Sequence, residues 1–234
     1  MSVTQQWHKI LKMIELYEQE FFRSKGSVTV LAVSKGQPLE KIQALHSAGQ
    51  HHFGENYLVE MLTKLSALSS KNIIWHYLGN LQSKKLKKIA THCHWVHSIT
   101  RIKEIELLNQ HIPKGTPKLN VCLQVNVQKT ENKLGIGTKD LLRIAEHLLN
   151  FPKIRLRGLM TFPDPSSSFE KQREPFKRLR ELYEYLKDRG FLLDTLSMGT
   201  SADFKAAIAE GSTMIRLGTI LFGERYKGNL GAIE

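Results

Sequence analysis

Three stretches of this chain carry side chains suited to chemistry on an aldehyde that also bears a phosphate. The first is VTVLAVSKGQP, residues 28 to 38, an apolar, β-rich run that stops at Lys35 before Gly36 and Pro38. Such a run reads as a parallel strand buried on both faces, with Lys35 at its carboxyl end. Buried surroundings there would disfavour the ammonium form and free the amine as a nucleophile, as a Schiff-base lysine requires. A lysine turned to solvent is the ordinary alternative. The second stretch, SMGTS at 197 to 201, sets three hydroxyls beside a glycine just before Ala202 and Asp203 open a helix, and so offers donors to an anion. The third, Arg216-Leu217-Gly218-Thr219, offers another set. Either loop alone reads equally well as helix capping. Together they favour a phosphate cradle, and a cradle facing a Schiff-base lysine suggests pyridoxal 5'-phosphate, whose aldehyde and phosphate lie on opposite sides of one ring. Arg216 would then meet the ring nitrogen, hold it unprotonated and weaken the ring as an electron sink.

The elements that must position these groups form a repeating pattern. Trp7, Ile10, Leu11, Ile14, Leu16, Tyr17 and Phe21 recur at mainly helical spacing within residues 5 to 24, which predicts a helix ahead of the first strand. After the Lys35 strand, Pro38 starts a helix that Gly49 ends. Strands are then expected at 51 to 56, 73 to 80, 95 to 99, 119 to 127, 154 to 162, 195 to 199 and 214 to 223. Helices are expected between them, at 57 to 68, 83 to 91, from Ile102 to Leu108, at 138 to 150, 169 to 189 and 202 to 210. Strands alternating with helices in this way imply right-handed parallel crossovers and an α/β fold, a single (β/α)8 TIM barrel with an extra N-terminal helix, occupying residues 1–234 as one domain. In a barrel the strands' carboxyl ends share one mouth. Lys35, Asn56, the residues after Met160, Ser197 to Ser201 and Arg216 to Thr219 should converge there.

Composition narrows the setting. With 34 Lys+Arg against 22 Asp+Glu the formal charge is +12, which raises a nucleic-acid or membrane partner. The basic residues are dispersed among acidic and apolar neighbours, as on solvated helix faces, and no aromatic-interleaved basic motif is present. Neither partner is expected. Cys93 and Cys122 form no disulfide framework, and the charged amphipathic amino terminus lacks a signal-peptide centre, so a cytoplasmic protein is expected. HCHWVH (92 to 97) offers His92, Cys93, His94 and His97, but at no zinc spacing, and strand alternation would scatter them to different faces. Lys133, after the fifth strand, is a second candidate for the cofactor's phenolic oxygen or a secondary aldimine, with a solvated loop lysine as the ordinary alternative.

The motifs LAVSK (31 to 35), HHFGENY (51 to 57), WHYLGNLQSKK (75 to 85), RLRGLMTFP (155 to 163), LSMGTSAD (196 to 203) and AAIAEGSTMIRLGTILFG (206 to 223) resemble, in order and over nearly the whole chain, the YggS/PROSC family of pyridoxal phosphate-binding homeostasis proteins. The resemblance implies a single barrel similar to the amino-terminal domain of alanine racemase, acting in intracellular vitamin B6 and amino-acid homeostasis. By position, Lys35 resembles the aldimine lysine, Asn56 and Met160 the cofactor-lining residues, Ser197, Ser201, Gly218 and Thr219 the phosphate contacts, and Arg216 the pyridine-nitrogen partner. Gly36 and Thr200 depart from the usual threonine and methionine. The resemblance further implies a protein that holds pyridoxal phosphate as a lysine aldimine without robust turnover, with apo-enzymes of that cofactor as recipients and a monomer as the expected state. The alternative is a racemase or related enzyme of the same cofactor. Racemisation needs an acid/base on each face of the α-carbon, which alanine racemase-like enzymes complete from a separate carboxyl-terminal domain, whereas this chain ends at Glu234, shortly after its last predicted strand. A nucleic-acid-binding reading rests on net charge alone.

Overall fold

The computed structural model describes residues 1–128 and 134–224. Helix α1 (Val3–Glu20) begins on a reciprocal cap, in which the Ser2 hydroxyl accepts from the Gln5 N–H and the Gln5 side chain accepts from the Ser2 N–H. That arrangement satisfies two of the N–H groups a helix start leaves open. The remaining elements alternate: β1 (Thr29–Val33), α2 (Leu39–Ser47), β2 (His52–Glu55), α3 (Leu58–Ala67), β3 (Ile74–Tyr77), α4 (Leu86–His92), β4 (Trp95–Ile99), α5 (Ile102–His111), β5 (Leu119–Gln124), α6 (Leu141–Leu148), β6 (Ile154–Met160), α7 (Phe169–Lys187), β7 (Thr195–Thr200), α8 (Phe204–Ala209), β8 (Met214–Leu217) and α9 (Thr219–Phe222). Each strand pairs in parallel with its neighbours, and β1 pairs with β8 to close the barrel.

Strand alternation divides the side chains into two populations. Val30, Ala32, Phe53, Val96, Val121, Leu159, Ile215 and Leu217 face outward into the main core with the helices. Inside the barrel sit two small apolar groups, Leu31 with Leu78 and Met214, and Trp95 with Cys122 and Met160. The rest of the interior is polar, because His76, His97, Ser197 and Arg216 are all buried there. That polar filling is unusual for a barrel centre, which bulky branched residues commonly occupy.

Several strands are shorter than their apolar runs imply: β3 ends at Tyr77 and β5 at Gln124, and the ends of β1 and β8 bear on the site. β1 ends at Val33, so Lys35 lies in the turn beyond it. The last strand, expected over 214 to 223, ends at Leu217. Past Gly218 the chain turns into α9, where Leu221 and Phe222 are buried and the Ile220 carbonyl accepts from Gln6 Nε2 of α1 at 2.9 Å. A helical turn against α1 therefore buries this apolar run.

One glycine marks a close approach. A Cβ on Gly158 of β6 would stand 1.6 Å from the Thr195 carbonyl oxygen of β7, whereas one on Gly137 would meet nothing within 4 Å. Gly158→Ala is expected to cost about 3 kcal/mol or more in urea denaturation, and Gly137→Ala less than about 0.5 kcal/mol.

Candidate functional site at the barrel mouth

The turn after β1 carries half-buried Lys35 between Ser34 and Gly36. β1 ends two residues before Lys35, which therefore lies in the turn at the carboxyl end of the barrel. Gly36 adopts φ 67°, a left-handed conformation that glycine takes at no steric cost. Three charged residues to which the sequence analysis gave no role hold this turn. Lys64 of α3 donates to the Ser34 carbonyl at 2.7 Å, to Glu55 Oε1 at 2.7 Å and to Glu60 Oε1 at 2.6 Å. Glu60 Oε1 also accepts from the Gly36 N–H at 2.7 Å, and Glu55 Oε1 accepts from the Ser34 hydroxyl at 2.6 Å. The residues flanking Lys35 are thus tied to one buried ion-pair network. Burial pushes the Glu55 carboxyl up to about 7, outweighing the attraction of Lys64.

Beside the end of β1, the loops after β8 and β7 touch each other. The Ser201 hydroxyl accepts from the Ile220 N–H at 3.2 Å, placing Ser201 beside half-buried Gly218 and exposed Thr219. Gly199 takes φ 96°, and a Cβ there would come within 2.5 Å of the Ala207 Cβ. The N–H and hydroxyl of Thr200 both donate to Asp203 Oδ1, at 2.6 and 2.9 Å, so both are committed to closing the loop.

Beneath these loops lies Arg216, 2% exposed. Its Nη1 donates to the Ser197 carbonyl at 2.5 Å and to Ser197 Oγ at 3.0 Å, and its Nη2 donates to the Thr161 carbonyl at 2.8 Å. Phe162 lies over the guanidinium, 4.1 Å from ring centroid to Cζ. Burial lowers its pKa to about 10, which leaves it cationic at neutral pH. Among the described residues no carboxylate forms an ion pair with it, and its Nε is buried without a hydrogen-bond partner. A buried cation with one unused donor is suited to an acceptor entering from the mouth.

The structure brings Lys35, Arg216, Ser201, Gly218 and Thr219 to one end of the barrel, and half-buried Asn56 follows β2 at the same end. Met160 is buried inside the barrel, aligned with Gln124 on one side and Ser197 on the other. Ser197 lies within β7, inside the span expected for that strand, and is wholly buried and bonded to Arg216 below the loops after β7 and β8 rather than part of them. Lys133 lies outside the described residues. The histidines of HCHWVH diverge, His97 turning into the barrel and His94 accepting from the Trp75 N–H through Nδ1 at 3.0 Å. Sequence reading missed Glu55, Glu60 and Lys64; the i, i+4 spacing of Glu60 and Lys64 was the available signal.

A closed parallel barrel with a lysine turn and a cationic floor at one mouth defines a small-molecule-binding (β/α)8 barrel. The family model of the alanine racemase N-terminal domain matches residues 19–226. Pyridoxal phosphate homeostasis proteins of Pseudomonas aeruginosa and Escherichia coli K12 are 45% and 41% identical over 220 and 206 residues, covering 94% and 87% of this chain and 94% and 88% of theirs. Among solved structures, PipY of Synechococcus elongatus PCC7942 with PLP bound matches with a TM-score of 0.84 at 31% identity, over 95% of this chain and 100% of that one. Alanine racemase of Clostridium difficile shares the fold, with a TM-score of 0.72 at 14% identity over 94% of this chain and 60% of its own. The chain belongs to the alanine racemase N-terminal domain family and, within it, to the pyridoxal phosphate homeostasis proteins.

The raised Glu55 pKa has a sign that can be measured. Between its ordinary value of 4.5 and about 7 the folded state holds a proton that the unfolded state has lost, so this group's contribution to stability is present below 4.5 and is lost as pH rises through about 7. Glu55→Gln is expected to flatten the fall in urea midpoint between pH 5 and pH 8. A variant whose midpoint falls as steeply as that of the parent would refute the assignment.

Proposed function

We propose that this protein binds pyridoxal 5'-phosphate at the barrel mouth and serves intracellular vitamin B6 homeostasis without robust turnover. The observation that carries the reading is Arg216, a buried guanidinium with an unpartnered Nε on the last strand, beside the strand whose following turn carries Lys35. The donor set fits the cofactor. The ring nitrogen is an acceptor that Arg216 Nε can satisfy without giving up a proton, since even at about 10 its pKa stays far above that of a pyridine. Ser201, Gly218 and Thr219 supply the donors for the phosphate, Asn56 and Met160 line the ring, and Ser197 positions Arg216 rather than touching phosphate. When bound, the cofactor supplies an aldehyde, and Lys35 supplies the amine that condenses with it, releasing water. The Glu55–Lys64–Glu60 network fixes the two residues that flank that lysine. The arginine contact would weaken the ring as an electron sink, which favours holding the cofactor over turning it over.

Lys35→Ala is expected to remove the borohydride-sensitive visible band of the cofactor-loaded protein while leaving its far-ultraviolet circular dichroism unchanged. A full-strength band at one cofactor per chain would place the covalent link on another lysine. Ser201→Ala with Thr219→Ala is expected to weaken pyridoxal phosphate by about 100-fold or more, since hydrogen bonds to a charged group are worth roughly 1.5–3 kcal/mol each. Pyridoxal, which lacks the phosphate, should lose much less, and equal losses would sink the phosphate assignment. With common amino acids the protein should turn over well below about 1 per second, the lower end of ordinary enzyme rates, and racemisation above that rate would favour the enzyme reading.

A further inference from the structure

Holding the cofactor calls on none of the three histidines inside the barrel. His52 Nδ1 lies 2.9 Å from His76 Nε2, His76 Nδ1 lies 2.9 Å from His97 Nε2, and His97 Nδ1 lies 2.9 Å from Ser197 Oγ. His76 and His97 are wholly buried, while His52 is half-buried as the first residue of β2, at the end of the barrel opposite the mouth. Three inward positions on three successive strands therefore form one continuous row of hydrogen bonds from the Arg216 floor to the amino-terminal face. A core histidine needs a partner for each ring nitrogen, but it does not need the partner to be another imidazole in a row that reaches water.

The sense of the row is set by Ser197. Its Oγ already accepts from Arg216 Nη1 at 3.0 Å, and among the described residues the other hydrogen bond of this hydroxyl is to His97 Nδ1. The hydroxyl proton therefore donates to His97 Nδ1. That makes His97 Nε2 the protonated nitrogen, which donates to His76 Nδ1, and His76 Nε2 in turn donates to His52 Nδ1. Each ring carries its proton on the nitrogen facing away from the mouth. Neutral imidazoles are required for such a row, because only the neutral ring both donates and accepts. The surroundings keep them neutral: burial, Arg216 and His52 depress His97 to about 3, burial with His97, His52 and His94 holds His76 well below its ordinary value, and burial with His51 and His94 lowers His52.

We infer that Ser197, His97, His76 and His52 form a proton path joining the floor of the mouth to the opposite face of the barrel. A proton arriving at Ser197 Oγ releases the hydroxyl's own proton to His97 Nδ1. His97 Nε2 then passes its proton to His76 Nδ1, His76 Nε2 to His52 Nδ1, and His52 Nε2 gives one to water. One proton enters and one leaves, no electrons move, and all three rings end with the proton on Nδ1, so the row is set to carry the next proton back inward. The floor of a ligand site would thereby exchange protons with solvent even when a ligand closes the mouth. The row is a property of the unliganded chain and stands or falls separately from the cofactor reading.

The test is nitrogen NMR on the whole 234-residue chain, labelled at the imidazole nitrogens of histidine and kept free of cofactor. At pH 7 His97, His76 and His52 should each be neutral with the proton on Nε2, and a proton on Nδ1 of any of them, or a charged ring, overturns the path. On transfer to D2O, His52→Phe should slow exchange of the buried His97 ring proton by about tenfold or more relative to the parent, with backbone amide exchange unchanged. Equal His97 exchange in parent and variant would mean that the proton leaves by local opening, and the path would fail. Should His52→Phe not fold, the tautomers of the unsubstituted protein still decide the question.

Discussion

Pairing of the first strand with the last is the constraint on which the remaining structure depends. Thr29 aligns with Met214, Leu31 with Arg216 and Ala32 with Leu217, across nearly the whole length of the chain. Until that pairing forms, Lys35 and Arg216 belong to distant segments; once it forms, they stand at adjacent strand ends. Loop closure of this length costs little more than closure of a shorter one, because the entropy grows only logarithmically. What holds the closure is the sheath of helices buried against the outward side chains of every strand, including α1, whose Gln6 reaches the turn after β8.

Closure also decides what the barrel centre must be. An interior filled only with branched aliphatic side chains would be stable and inert. Here a guanidinium, a serine and histidines occupy it, and each polar group has a partner apart from Arg216 Nε. Burying a cation is expensive unless hydrogen bonds recover part of its lost hydration. Two carbonyls and one hydroxyl do so for Arg216, and the Phe162 ring lies against it. The cost left over, an unused donor on a buried charge, is what favours a ligand bearing an acceptor.

The Lys35 turn is held by a different principle. Glu55, Glu60 and Lys64 are more costly to bury than apolar residues of the same size, and such groups contribute geometry more readily than net stability. Their hydrogen bonds end on the Ser34 carbonyl, the Ser34 hydroxyl and the Gly36 N–H. A five-residue strand that runs into a glycine turn would otherwise leave that backbone free to move. Rigidity at the lysine is thus set by a helix that comes after the next strand.

The sequence by itself determined the order and type of the elements, because alternation of apolar runs with helical stripes is a local property of the chain. It also determined that Lys35 comes just after β1 and that Ser201 and Thr219 come just after β7 and β8, since motifs at strand ends keep their place in any barrel. The end of β8 was not legible, because an apolar run such as TILF has the same pattern whether it is buried as a strand or, as here against α1, as a helical turn. Nor was the role of Ser197: its place in β7 was expected, but only the closed barrel brings Arg216 and His97 against its hydroxyl. The buried network at Glu55 and the row of histidines were decided by tertiary structure alone. Their members lie on different elements, and only the pairing of successive strands brings side chains that are remote in sequence within 3 Å of one another.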